Sequence, residues 1–331
     1  MQVGVGREQR AGERRVAATP ETARQLTALG LHLLVESGAG TEAGFADAAF
    51  KEAGATVISE LPFEALDVLL HVRPLTPEAA ARLRPGTVTI GLASPSSELP
   101  TVRTLAAAGI TSFALELLPR ISRAQSMDAL SSQSLVTGYR AVLEAAVRYP
   151  RFFPLYMTAA GTIPPARVLV LGAGVAGLQA IGTAKRLGAR VSANDIRAAS
   201  ADEVASMGGT FINLDIDAAA DGAGGYARAL GEDRAQRQRS LLAPHVAAAD
   251  VLITTAAIPG RAAPLLVTLE TTSKPTNTAS TTTVSNTTGP ITPPFPMLPR
   301  WGRAAPCRRG SGTFRRQRRR RSPGPLSRRR S

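Results

Sequence analysis

A glycine-rich hexapeptide is the segment whose residue types and spacing point most directly to chemistry. Gly172-Ala173-Gly174-Val175-Ala176-Gly177 follows the apolar run Arg167–Leu171 and precedes a helical pattern that continues to Leu187. In such a strand–turn–helix unit the first glycine permits a tight turn, the second admits a pyrophosphate to the backbone, and the third lets helix and strand pack closely. The pattern predicts dinucleotide binding, with a plain glycine-rich turn as the alternative.

A carboxylate follows at the place where the adenosine ribose of a dinucleotide would be held. Asp195-Ile196-Arg197 comes directly after the next predicted strand, and Asp195 stands 18 residues after Gly177. A carboxylate there can accept hydrogen bonds from the ribose hydroxyls. Arg197 would tolerate a 2′-phosphate, whereas Asp195 would repel one. The sequence therefore favours NAD over NADP.

A polar segment lies between two stretches in which apolar runs alternate with helical patterns. It reads Pro119-Arg120-Ile121-Ser122-Arg123-Ala124-Gln125-Ser126-Met127-Asp128-Ala129-Leu130-Ser131-Ser132-Gln133. A position between two domains is where Rossmann-type enzymes hold the nicotinamide end of the cofactor. Composition alone leaves two interpretations open, a solvated linker and a binding loop.

Two series of strands and helices must position these segments, one in residues 1–130 and one in residues 131–267. Strands that alternate with helices imply βαβ units, and hence an α/β fold with two doubly wound, Rossmann-like parallel-sheet domains. The first series has predicted strands at Gln2–Val5, Leu31–Glu36, Val68–Val72, Val88–Leu92 and Thr111–Leu115, and helices at Pro20–Leu29, Phe45–Ala53 and Pro77–Leu83. The second has a helix at Ser131–Ala146 and strands at Arg167–Leu171, Arg190–Ala193, Thr210–Leu214 and Asp250–Thr254.

Composition excludes several classes of protein. The 331 residues leave room for two cores, at roughly 100 to 200 residues per domain. A single cysteine excludes a disulfide scaffold, and the three histidines share no metal-ligand spacing, so no metal site is predicted. No apolar run approaches the roughly 20 residues of a transmembrane helix, and Met1–Val5 starts as a strand rather than as a signal peptide. We expect a soluble, cytoplasmic protein.

The segment 268–331 carries almost all of the formal net charge of +14, with thirteen Arg and one Lys against one acidic residue. It has no apolar periodicity, so we predict a disordered basic tail. A GC-rich gene read out of frame gives a sequence rich in arginine, proline and glycine, like residues 300–330. We therefore interpret the tail as the result of a loss of reading frame near Thr268, with a natural low-complexity tail as the alternative. Its arginine runs lack interleaved aromatic residues for base stacking, so no nucleic-acid partner is expected.

The polar segment and several other stretches together resemble a known family. The chain is similar over about 1–267 to the NAD(H)-binding component, domain I of the alpha subunit, of proton-translocating nicotinamide nucleotide transhydrogenase. The stretches that carry the resemblance are Arg120–Gln133, Gly138–Ala141, Met157–Ala166, Gly12–Glu21, Gly224–Ala227 and Thr254–Gly260. That family continues beyond the equivalent of Thr268 with a further strand and a returning segment, so little activity is expected of the chain as written.

The resemblance implies a role for each residue of the polar segment. In that family the equivalents of Arg120, Gln125 and Asp128 form a loop that grips the nicotinamide carboxamide and ribose, with Ser131 beside them. The amide, carboxylate and guanidinium groups suit this task. Tyr226 matches a tyrosine on a mobile loop that closes over the bound nucleotide, with an ordinary surface tyrosine as the alternative.

The resemblance also implies a reaction and its partners. The enzyme would be an NAD(P)+ transhydrogenase of the Si-Re, or AB, type that binds NAD(H) and passes hydride to NADP(H) bound on a partner component. Membrane-spanning subunits would translocate the protons and hold this chain, as a homodimer, at the cytoplasmic face of the inner membrane. Hydride passage between two nicotinamides involves no proton at the reacting carbons, so positioning groups suffice.

Two rival interpretations stay open. Alanine dehydrogenase has the same N-terminal layout but needs a lysine and a histidine for proton transfer. This chain has Leu69-Leu70-His71-Val72-Arg73 and Gly91-Leu92-Ala93 where we place them, so we expect His71 to be a packed or rim residue rather than a displaced catalyst. The second rival is a non-catalytic nucleotide-binding protein whose basic tail docks on nucleic acid or an anionic surface.

Overall fold

The computed structural model describes residues 1–197, 199–214, 232–256 and 263–268. Tyr226 and the predicted tail from residue 269 onward lie outside the described residues. Within the described ranges the fold is α/β with parallel sheets, as the sequence predicts. No helix in those ranges has the length and apolar character needed to cross a membrane.

The first sheet has six parallel strands in the order β3-β2-β1-β4-β5-β6. Its topology reverses between β1 and β4, which is where open α/β sheets leave a crevice at the carboxyl ends of their strands. The strands are β1 (Gln2–Val5), β2 (His32–Glu36), β3 (Thr56–Ile58), β4 (Val68–Leu70), β5 (Val88–Gly91) and β6 (Thr111–Ala114). The helices are α1 (Pro20–Ala28), α2 (Asp47–Glu52), α3 (Pro77–Ala81) and α4 (Leu99–Ala107).

Local sequence explains where two of these helices begin. Thr19 precedes Pro20 at the start of α1, and its hydroxyl oxygen accepts a hydrogen bond from the Thr22 N–H at 3.2 Å. Thr76 caps α3 in the same way, with Pro77 in the first helical position. A hydroxyl cap followed by proline stabilises a helix N-terminus because the cap satisfies a free N–H and proline has none to lose.

A long helix and a short hairpin follow the first sheet. The helix α5 (Ala129–Arg148) starts at its cap residue Asp128, and the antiparallel strands β7 (Tyr156–Thr158) and β8 (Gly161–Ile163) form the hairpin. Gly138, in the middle of α5, faces the backbone of the next helix, and a Cβ there would lie 2.0 Å from the carbonyl oxygen of Ala176. The absence of a side chain therefore lets the two helices touch through their backbones.

The second sheet has four parallel strands in the order β11-β10-β9-β12. Its strands are β9 (Arg167–Leu171), β10 (Arg190–Asn194), β11 (Thr210–Phe211) and β12 (Val251–Thr254). The helices α6 (Val175–Arg186), α7 (Ser200–Ser206) and α8 (Glu232–Ala248) accompany it. Strand β9 is buried at four consecutive positions, from Val168 to Leu171, because helices cover both faces of the sheet.

The element bounds differ from the predicted ones in several places. The strand predicted over Val68–Val72 ends at Leu70, since the Val72 N–H donates to the Glu8 carboxylate at 2.6 Å. The strand predicted over Thr210–Leu214 stops at Phe211. Helix α5 begins at Ala129, two residues before the predicted start. The elements without a sequence prediction are β3, α4, the β7–β8 hairpin, α7 and α8.

Candidate functional site

Two of the three glycines in the hexapeptide are required by the backbone itself. Gly172 has φ of +98°, a left-handed conformation, and a Cβ on it would lie 2.8 Å from the Ala256 nitrogen. A Cβ on Gly177 would lie 1.8 Å from the Gly172 carbonyl oxygen. Thr255 closes the same turn, because its hydroxyl donates to the Gly172 carbonyl at 2.9 Å. The turn is therefore held tightly against β12.

The middle glycine has a different environment. A Cβ on Gly174 would meet nothing within 4 Å, so the backbone borders open space at the start of α6. Val175, the first residue of α6, is 37% exposed, whereas Ala176 is buried against α5. Free N–H groups in the first turn of a helix favour an anion. This is the space that a pyrophosphate needs.

Asp195 lies beside the glycine turn, and both of its carboxylate oxygens are engaged. Oδ2 accepts a hydrogen bond from the Ala173 N–H at 2.7 Å, and Oδ1 accepts from the backbone N–H and Nε of Arg197 at 2.9 and 3.2 Å. The side chains of Asp195 and Arg197 are 9% and 20% exposed, and Ile196 between them is half-buried. A ribose hydroxyl would have to replace a donor that Asp195 already has.

Three of the four candidate residues of the polar segment form one hydrogen-bonded network. Asp128 caps α5: its Oδ1 accepts from the Ser131 N–H at 2.8 Å and its Oδ2 from the Ser131 hydroxyl at 2.6 Å. Arg120 Nη2 donates to the Ser131 hydroxyl at 3.1 Å. Burial raises the pKa of Asp128, but the hydrogen bonds from Ser131 and the Arg120 charge outweigh it and lower the pKa of that carboxyl. Asp128 is therefore held as the anion.

Gln125 lies outside this network. It belongs to the 3-10 turn Ser122–Met127, where its backbone carbonyl accepts from the Asp128 N–H at 3.2 Å. Its side chain is exposed. The amide is therefore accessible to a ligand while the backbone that carries it is hydrogen-bonded to the cap of α5.

Helix α5 joins the two parts of the candidate site. It begins at the Asp128 network and, ten residues later, packs through Gly138 on the first turn of α6. Ten helical residues span about 15 Å. The Asp128 network at the start of α5 is therefore linked, through one helix, to the backbone contact with the first turn of α6.

Sequence reasoning missed an ion pair next to this site. Glu13 and Arg15 form a two-point contact, with Arg15 Nε donating to Oε1 at 2.8 Å and Nη2 to Oε2 at 2.7 Å. The remaining terminal nitrogen, Nη1, donates to the Gln133 side chain at 2.8 Å. The available signal was an acid and a base two residues apart within the Gly12–Glu21 stretch, but nothing local relates Arg15 to a residue 118 positions away.

His71 is a packed residue, which confirms the prediction. It is 7% exposed, and its Nδ1 lies 2.8 Å from the Arg73 carbonyl oxygen. A Cβ on Gly91 would lie 2.5 Å from the same ring nitrogen, so position 91 has no room for a side chain. Burial lowers the pKa of His71, which keeps the ring neutral near pH 7.

Comparisons with known proteins agree with this architecture. Residues 4–137 match the family model described as alanine dehydrogenase/PNT, N-terminal domain, and residues 141–278 match the corresponding C-terminal domain. An NAD(P) transhydrogenase subunit alpha chain from Rhodospirillum rubrum is 48% identical over 279 residues, which cover 82% of this chain and 73% of that protein.

Two further relatives extend the comparison. NAD(P) transhydrogenase subunit alpha from Cereibacter sphaeroides is 46% identical, and the match covers 80% of this chain and 52% of that protein. The crystal structure of transhydrogenase from Sinorhizobium meliloti superposes with a TM-score of 0.72 at 43% identity, covering 82% of this chain and 74% of that one. The chain therefore belongs to the alanine dehydrogenase/PNT family and, within it, to the NAD(P) transhydrogenase alpha subunits.

Proposed function

We propose that this chain is the NAD(H)-binding component of a proton-translocating transhydrogenase, and that it passes hydride from NADH to NADP bound on a partner component. The observation that carries the proposal is that α5 starts at the Asp128 network and, ten residues later, packs on the first turn of α6, which the glycine turn opens. A dinucleotide has a nicotinamide end and an adenosine end that must be held at fixed separation, and the packing of α5 on α6 supports such a separation.

The adenosine end belongs to the glycine turn in this proposal. The open space at Gly174 takes the pyrophosphate against the first turn of α6, at Val175 and Ala176, and Asp195 accepts from the ribose hydroxyls. The Arg197 contacts to Asp195 would have to open for this. Ile196 lines the same turn, and Tyr226 would close over the nucleotide.

The nicotinamide end belongs to the polar segment. The exposed Gln125 amide pairs with the carboxamide, and Asp128 and Arg120, both contacting Ser131, orient the ring and ribose. The nicotinamide of NADH supplies the hydride, so the surrounding side chains need only position it and transfer no proton to the reacting carbon. The lowered pKa of Asp128 suits this role, because a permanent carboxylate is a constant acceptor.

The proposed partners are the NADP(H)-binding component, the membrane-spanning subunits that attach this chain to the inner membrane on its cytoplasmic side, and a second copy of the chain. Exposed apolar side chains on two elements support pairing with another protein surface. They are Leu135, Val136, Tyr139 and Val147 on α5, and Tyr156 and Met157 on the hairpin, each at least 46% exposed.

Titration of the full chain with NADH and NADPH tests the nucleotide assignment. We expect tighter binding of NADH, and reduction of NADP by NADH when the NADP(H)-binding component is added. Because apolar periodicity is lost after Val267, slow turnover is expected of the chain as written. Tighter binding of NADPH would contradict the nucleotide assignment. NADH oxidation supported by pyruvate and ammonia would contradict the proposed reaction and favour the alanine dehydrogenase branch.

A further inference from the structure

The Glu13–Arg15 pair links the first sheet to the start of α5. Both residues lie in the segment between β1 and α1, and Gln133 lies in the second turn of α5. Arg15 uses all three of its side-chain nitrogens, two on the Glu13 carboxylate and one on the Gln133 amide oxygen. The guanidinium is therefore fixed in position and in plane.

Glu13 is built to hold Arg15 rather than to contact solvent. Its side chain is 9% exposed, and it also accepts from the backbone N–H groups of Arg14 and Arg15 at 3.0 and 2.9 Å. Burial raises the pKa of Glu13, but the hydrogen bonds from Arg15 outweigh it, so the pKa is lowered. The hydrogen bonds that Arg15 donates to the Glu13 carboxylate likewise raise the pKa of Arg15. Both groups stay charged, and a bidentate pair of this kind is geometrically strict.

Gln133 lies five residues after the cap of α5. It is in the same helix as Ser131, and its backbone carbonyl accepts from the Thr137 hydroxyl at 2.9 Å, so its backbone is part of the regular helix. Any shift of Gln133 toward or away from Arg15 therefore moves the first turn, and with it the Asp128–Ser131 contact. The Glu13–Arg15 pair is therefore connected to the Asp128–Ser131 contact through Gln133 and the first turns of α5.

We propose that Arg15, held by Glu13, is a positioning residue for hydride transfer: through Gln133 it sets the place of the first turn of α5, and so of the Asp128 network. This inference rests on the proposed function, because it assigns the network to the nicotinamide end. Substitution of Arg15 should therefore affect the nicotinamide end of the nucleotide and not the adenosine end. Arg15 directs its three nitrogens to Glu13 and Gln133, whereas the adenosine end at Asp195 is bonded to the glycine turn.

The variants Arg15→Lys and Gln133→Leu test the proposal in the full chain. Lysine keeps the charge but cannot make three planar contacts, and leucine removes the acceptor. The matched control is Arg14→Lys, in the same loop, whose pair with Glu42 is 3.4 Å long with side chains 74% and 68% exposed. Gln133→Glu keeps an acceptor for Arg15 and is the conservative replacement.

Binding of NADH is compared with binding of ADP-ribose, which lacks the nicotinamide. We expect both Arg15→Lys and Gln133→Leu to leave ADP-ribose affinity within about twofold of the unmutated chain, and to change the fluorescence emission of bound NADH. With the NADP(H)-binding component present, single-turnover hydride transfer should slow by roughly ten- to a hundredfold, since a misplacement of about 1 Å has this effect. Arg14→Lys and Gln133→Glu should behave as the unmutated chain.

Each result has a definite meaning. Equal loss of ADP-ribose and NADH affinity would show a general folding effect and overturn the positioning role. Unchanged emission and rate in both variants would overturn it as well. In the double variant Arg15→Lys/Gln133→Leu, hydride transfer should be no slower than in the slower single variant, because both substitutions remove the same Arg15–Gln133 contact. Additive effects of the two substitutions would contradict the link. If the unmutated chain binds NADH no better than ADP-ribose, the proposed function fails first, before any variant is compared.

Discussion

Gly138 lies directly against the carbonyl oxygen of Ala176, at a separation that leaves no room for a Cβ, which would be 2.0 Å from that oxygen. The contact is between backbones of two helices, so neither partner can yield by a side-chain rotation. It fixes how α5 crosses the start of α6, and hence the separation between the Asp128 network and the glycine turn. Packing, rather than a side-chain contact with ligand, is the reason for glycine at this position.

Replacing Gly138 with alanine should therefore destabilise the protein. Overpacking typically costs about 1–3 kcal/mol, partly offset by the better helix propensity of alanine, which is worth roughly 1 kcal/mol. NADH affinity should fall as well, because α5 must move away from α6. Urea unfolding and NADH titration measure the two effects.

Gly182→Ala is the matched control for that variant. Gly182 is also in the middle of a helix, but a Cβ there would meet the ends of two flexible side chains, the terminal methyl of Met207 at 2.5 Å and Arg186 Nη1 at 3.8 Å. A flexible side-chain end can move, so the substitution should be neutral or slightly stabilising. Similar destabilisation by both substitutions would show that the backbone contact at Gly138 has no special weight.

Asp195→Asn should weaken NADH binding by about 1–3 kcal/mol, the scale of a charged hydrogen bond. It should also reduce the preference over NADPH, since the carboxylate that repels a 2′-phosphate is lost. Titration of both nucleotides measures this. Arg197→Gln provides the opposite case, because it removes the guanidinium that contacts Oδ1: NADH affinity should stay or rise while NADPH affinity falls. Stronger NADPH binding by this variant would contradict the assignment.

The polar segment should affect hydride transfer more than affinity. Asparagine is as good a helix cap as aspartate, so Asp128→Asn should keep α5 folded while removing the charge that faces Arg120 and Ser131. Gln125→Asn shortens an exposed amide without disturbing the core. Both variants should slow hydride transfer by on the order of a hundredfold, with NADH affinity changed much less. Parallel losses of affinity and rate would instead make the segment a general clamp.

Local patterns were sufficient to predict the glycine turn and the strand that Asp195 follows. Each glycine answers a requirement within a few residues, and the burial of Val168–Leu171 makes the preceding strand continuous and apolar. The polar helix α8 was missed because only Leu242 and Val246 mark its apolar face at helical spacing, beside a buried Gln238. The link from Arg15 to Gln133 joins residues from different elements, so it depends on the tertiary fold and has no local signal.

The basic tail should not contribute to nucleotide selectivity. Residues 269–331 lie outside the described residues, and residues 1–267 contain 25 basic and 24 acidic side chains. Deletion of 300–331 should leave the ratio of NADH to NADPH affinity unchanged at about 0.15 M salt, because every candidate nucleotide-binding residue lies within residues 1–267. A loss of NADH binding on deletion would favour the rival in which the tail carries the function.

The buried His71 should make stability depend on pH in a definite direction. Its Nδ1 donates to the Arg73 carbonyl, Nε2 has no hydrogen-bond partner in the described part of the chain, and burial lowers its pKa despite the hydrogen bond and the nearby Glu116 charge. The unfolded chain therefore takes up a proton first as pH falls, so stability is complete above the usual histidine pKa of about 6.5 and declines below it. Glu8 has the opposite effect on stability. Burial raises its pKa, so the folded chain takes up this proton first as pH falls, and this contribution to stability increases.

Comparison with His71→Asn isolates the histidine, since contributions from Glu8 and other acids are common to both proteins. Asparagine can donate to the Arg73 carbonyl from nearly the same place as Nδ1 but does not titrate. The free energy of unfolding, measured by urea denaturation between pH 7.5 and about 5.5, should decline more steeply in the unmutated chain than in His71→Asn. Parallel curves would mean that the pKa of His71 is the same in the folded and unfolded chains. A smaller decline of the free energy of unfolding in the unmutated chain would mean that folding raises the pKa of His71 instead of lowering it. Either result would require the ring to reach solvent, which contradicts its 7% exposure against Gly91.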